Sequence, residues 1–132
     1  MGRRAGIPKP QRGLTATPAS REGLTAVDAL KIDVEGFDGF VLDGAQRLVT
    51  AWKPVVFVEY VLRQLAACGD DPDRVARMLL RLPGTCSAVD ERRRRLVPVT
   101  TVKELGSALG PAGGNVIVAS ATELLDDLIH PA

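Results

Sequence analysis

The chain has 132 residues, of which 45% are hydrophobic and 25% charged, with a formal net charge of +1. That length bounds it to one domain or less, and the near-neutral charge argues against a nucleic-acid partner or an acidic membrane surface. No apolar run approaches the ~20 residues needed to span a bilayer, and Arg3 and Arg4 are followed by no apolar segment of a secretory signal. Cys68 and Cys86 lack metal-ligand spacing and read as free thiols of a cytoplasmic protein.

Residues 1–25 are rich in Gly, Pro, Arg, Thr and Ser and show no apolar period, which predicts a disordered or irregular segment. A strand is expected over Val27–Ile32. Asp33 and Glu35 fall where it stops, and Gly36 breaks it. From Asp38 to Ala51 the spacing predicts a helix, with Phe37, Phe40, Val41, Gly44, Ala45, Leu48, Val49 and Trp52 as one apolar stripe. Small residues at Gly44 and Ala45 would let it lie close to a sheet. Lys53-Pro54 ends it, because the residue before proline disfavours the helical region. Pro54 to Tyr60 reads as a second strand. Its unbroken run Val55–Val58 suggests cover on both faces, and Glu59 stands at its end. Two strands joined by one helix form a right-handed βαβ unit, so they run parallel. In open parallel sheets, ligands bind off the carboxyl ends of the strands. Asp33, Glu35 and Glu59 are therefore expected on one rim.

Beyond that unit, Val61–Ala67 predicts a short helical turn. Asp71-Pro72 predicts a helix start, with Asp at the N-cap and Pro at the first helical position. That helix should run to about Leu82, with Val75, Met78, Leu79 and Leu82 inward. Thr85–Val89 and Leu96–Thr100 read as two short strands of a hairpin around Asp90–Arg95. Val102–Leu109 is expected to be helical, Asn115–Ala119 to be the last strand, and Ala121–Ile129 to be a helix capped by Ser120.

Each candidate residue also has an ordinary structural reading. Asp33 and Glu35 can serve a ligand at the strand ends, or they can cap the following helix. Glu59 can do the same work or pair with a surface cation. Lys31 is expected to snorkel or to pair with a carboxylate. Arg92–Arg95 reads as a solvated turn, since no interleaved aromatics suggest base stacking. His130, the only histidine, has no visible catalytic partner. Asp33, Glu35 and Glu59 are of a type that binds magnesium, but no metal is expected.

Leu30 to Tyr60, LKIDVEGFDGFVLDGAQRLVTAWKPVVFVEY, resembles the core signature of the FkbM family of S-adenosylmethionine-dependent methyltransferases. The K-I-D-V-E-G strand end, the segment Val41 to Ala45 and the strand Pro54 to Glu59 carry the resemblance. Gly114 to Ala119 is similar to the family's last strand. The resemblance covers roughly residues 25–120. It implies an α/β fold of the Rossmann-like class I methyltransferase type, partial, comprising the second half of the sheet: a parallel βαβ unit followed by an antiparallel hairpin. It also implies S-adenosylmethionine as cofactor, O-methylation of a small-molecule or glycan hydroxyl, and Asp33, Glu35 and Glu59 as the residues lining the acceptor rim. Family members hold the cofactor mainly through an earlier strand, glycine loop and helix, and nothing before Leu30 supplies such a segment. No cofactor-binding residue is therefore assigned. The expected organisation is an irregular segment at 1–25, a partial methyltransferase domain at 26–120 and a carboxyl-terminal helix or tail at 121–132. Val27–Ile32 would then be an edge strand that favours self-association or completion by a missing amino-terminal half. The alternative reading is an inactive remnant or interaction module.

Overall fold

A computed structural model describes residues 27–120. The expectations for residues 1–25, for a helix over 121–129 and for His130 lie outside the described residues. The elements in order are β1 (Ala29–Ile32), α1 (Asp38–Trp52), β2 (Val55–Tyr60), α2 (Leu62–Ala67), α3 (Pro72–Arg81), β3 (Thr85–Asp90), β4 (Arg95–Pro98), α4 (Val102–Leu109) and β5 (Gly114–Ala119). No helix among the described residues is long and apolar enough to cross a membrane.

The five strands form one mixed sheet in the order β1-β2-β5-β3-β4. β1 and β2 are parallel, with Ile32 opposite Val58, as the βαβ reading requires. β5 inserts antiparallel between β2 and β3, and β3 and β4 form the expected hairpin. In its turn, Arg93 and Arg95 pair with Asp90. The Arg93 backbone N–H, 3.1 Å away, holds the Asp90 carboxyl below its ordinary range.

Local signals set the helix ends. The Asp71 side chain accepts from the Asp73 N–H at 3.0 Å and Pro72 opens α3, as the sequence predicts. Thr101 caps α4 by accepting from the Glu104 N–H, while Glu104 Oε1 accepts from the Thr100 N–H at 2.7 Å. At the end of α1, Lys53 turns left-handed (φ 47°) and donates its N–H to the Val49 carbonyl.

The main core lies between α1, α3 and α4 and one face of the sheet. Leu42, Leu48 and Val49 of α1 meet Val56, Val58 and Tyr60 of β2, with Val75, Leu79 and Leu105 closing the layer. Burial of each such side chain contributes about 1.5–3 kcal/mol. Two expectations are corrected. Leu42, absent from the predicted stripe, is fully buried, whereas Phe40 and Val41 are half-buried. The close approach of α1 falls at Gly39, against α3, where a Cβ would stand 2.6 Å from a Val75 methyl and against an Asp70 carboxylate oxygen. Nor is β2 covered equally on both faces: Val56 and Val58 are buried, but Val55 and Phe57 are half-exposed. On that second face Ile117 and Ala119 gather Val55, Phe57, Val89 and Leu96 into a small cluster of strand residues alone.

Candidate functional site

The parallel register carries the end of β1 to the end of β2. Ile32 faces Val58; Asp33 follows where β1 ends, while Glu59 is still within β2, one residue before its end. Across β2, Glu59 is paired with Asn115 of β5, and Phe57 with Ile117. Lys31, Phe57 and Ile117 form one row on the second face, and Glu59 and Asn115 the next. Together with Asp33 and Val89 they border an open cleft of about 390 Å³. Its floor is apolar, through Phe57, Val89 and Ile117. Its rim carries Asp33, Glu59, Lys31 and the Asn115 amide. That amide donates to Glu91 Oε1 at 3.2 Å.

The structure brings together two of the three expected carboxylates. Glu35 is exposed and does not border the cleft. Its separation has a backbone cause: Glu35 and Gly36 both have positive φ, 49° and 108°, so the chain reverses after Asp33 instead of continuing as a strand. A Cβ on Gly36 would lie 2.6 Å from Cys68 Sγ and against the Gln64 carbonyl, so the turn docks tightly on α2. The Cys68 thiol in turn donates to the Glu35 carbonyl at 3.7 Å. The capping alternative for Asp33 and Glu35 is also corrected. α1 begins after Phe37 with no side-chain cap, and the turn's amides are taken by Asp38.

Among the described residues, Glu59 and Lys31 enter no ion pair. The rim is braced from behind. The Tyr60 hydroxyl donates to the Pro72 carbonyl at 2.9 Å, and burial pushes its ionisation up to about 12. Arg74 binds the buried Asp70 through Nε at 2.8 Å and NH2 at 2.9 Å, and reaches Asp43 on α1 at 3.0 Å. These bonds hold α1 to α3, and the guanidinium stays charged beyond its ordinary range because of Asp70. Asp38, Asp70 and Arg74 are not among the residues that the sequence singles out. The (i, i+4) spacing of Asp70 and Arg74 was a legible signal; nothing local marked Asp38 as buried.

Asp33 and Glu59 are acceptors that can align a hydroxyl or amine, or take its proton within about 2.6–3.2 Å. No group of three or more metal-ligating side chains comes together among the described residues. The β1–α1 turn does not fit an anion cradle of the glycine-loop kind. The Gly36 and Val34 N–H groups already donate to Asp38, and the Phe37 N–H to the Val34 carbonyl.

The family model described as "Methyltransferase FkbM domain" matches residues 5–88, more than half of the chain. The matched span begins before β1 and ends within β3. No curated protein and no solved structure matches the chain.

Proposed function

The chain belongs to the FkbM methyltransferase family, and we propose that its cleft receives the acceptor of a methyl transfer, a hydroxyl of a small molecule or glycan. The observation that carries this reading is that Asp33, just past the end of β1, and Glu59, near the end of the parallel β2, border one cleft. The family implies S-adenosylmethionine as the methyl donor, which supplies an electrophilic methyl group. The β1–α1 turn fits that donor poorly, because its Val34, Gly36 and Phe37 amides already have acceptors within the chain. The cleft residues instead hold the acceptor. Asp33 orients the hydroxyl, Glu59 takes its proton, and Phe57 and Ile117 exclude water beneath it. Much of the acceleration in such a displacement comes from positioning. The parallel pair with its crossover helix, followed by antiparallel strands, supports the Rossmann-like class I architecture.

A second reading, an interaction module without its own cofactor site, draws on β1, which among the described residues pairs only with β2. Calorimetric titration of the chain with S-adenosylmethionine and S-adenosylhomocysteine separates the two. Micromolar binding supports the enzyme, and its absence from folded protein supports the module. For the enzyme, Asp33→Asn and Glu59→Gln should each lower methyl transfer by about 10²-fold. Unchanged turnover in both would remove these carboxylates from the chemistry.

A further inference from the structure

Asp38 is a buried carboxylate that the proposed chemistry does not use. It lies at the start of α1 and is 2% exposed. Oδ1 accepts from the Gly36 N–H at 3.0 Å, and Oδ2 faces the Val34 N–H at 3.4 Å. Both donors belong to the turn that follows Asp33. That turn needs outside support, since Glu35 occupies the left-handed region, which disfavours a side chain. On its other side it is closed by the Gln64 carbonyl of α2 and by Cys68, just after that helix, packed against Gly36. The Val34 N–H is part of the peptide plane that joins Asp33 to Val34, so holding it fixes the backbone from which the Asp33 side chain leaves.

We propose that Asp38 is a positioning residue: by binding the Val34 and Gly36 amides, its carboxylate sets the direction in which Asp33 enters the cleft. The catalytic consequence rests on the proposed function, while the clamp itself does not. An anionic acceptor makes stronger bonds than a neutral one. Asparagine has the same shape but a single acceptor oxygen, so Asp38→Asn can satisfy one amide and turns its own NH2 toward the other.

The test uses the full chain. In wild type, the Val34 and Gly36 amide protons should titrate together by NMR. Their common midpoint should lie above the ordinary carboxylate value of 3.8, because burial, aided by the nearby Asp33 charge, raises Asp38. In Asp38→Asn that titration should vanish, and the Asp33 carboxyl carbon signal should move. The Gly36 amide should keep its position in Asp33→Asn. Amides that do not share a titration in wild type overturn the clamp, and this arm holds even if Asp38→Asn fails to fold. An Asp33 carboxyl signal identical in wild type and folded Asp38→Asn overturns the positioning role. Where wild type transfers methyl groups, Asp38→Asn should lower kcat on the order of tenfold, with no further loss in an Asp33→Asn background. An additional loss in that background would overturn action through Asp33. If wild type shows no transfer while the amides behave as stated, the acceptor reading fails and the clamp stands.

Discussion

Replacing Gly36 with alanine tests the packing of the acidic turn most directly. Gly36 has φ 108°, a conformation that an L-residue adopts at a cost of about 1–2 kcal/mol. Its Cβ would also stand 2.6 Å from Cys68 Sγ and against the Gln64 backbone. Backbone cannot move aside cheaply, and such overpacking costs about 1–3 kcal/mol. The entropy that alanine removes from the unfolded chain returns about 0.4–1 kcal/mol. Gly69 supplies the control. It too has positive φ, 83°, but a Cβ there meets nothing within 4 Å. Both variants carry positive-φ strain and the same gain in chain entropy, and the contact with α2 is present only at Gly36. Urea unfolding of both variants should show Gly36→Ala less stable than Gly69→Ala by about 1–3 kcal/mol. Equal destabilisation would refute the argument, because it would mean that the turn does not rest on α2.

Two further outcomes follow from buried groups behind the rim. Tyr60, buried and bonded to Pro72, should ionise at about 12 in a spectrophotometric titration instead of at 10.0. Since the folded-state value is raised, its contribution to stability is complete below the unfolded value, falls as pH rises, and is lost by about 12; a phenol titrating at its ordinary value would show the ring solvated. Asp70 and Arg74 should be coupled by roughly 1–2 kcal/mol in a double-mutant cycle with alanine, the upper range being reduced because the Arg74 side chain is 36% exposed. Additive effects in that cycle would show that the ion pair does not hold α3.

Most element boundaries were legible because their signals are local. Asp71-Pro72 opens α3, Lys53-Pro54 closes α1, and both act through the backbone of adjacent residues. The parallel pairing of β1 and β2 was legible too, because a crossover helix leaves little other choice. The K-I-D-V-E-G strand end carried the family resemblance, which the family model matches, and the parallel pair gave the expected rim. Tertiary structure decided which residues reach that rim. Spacing could not separate Asp33 from Glu35, whose fate depends on Gly36 finding room against α2. It could not show that β5 would bring Asn115 and Ile117 beside Glu59 and Phe57, since that pairing joins residues far apart in the chain. It also placed Asp38 at the head of a helix without showing it buried. Whether a carboxylate at a helix start meets water or two amides depends on how the preceding turn folds back, and only the packed chain settles that.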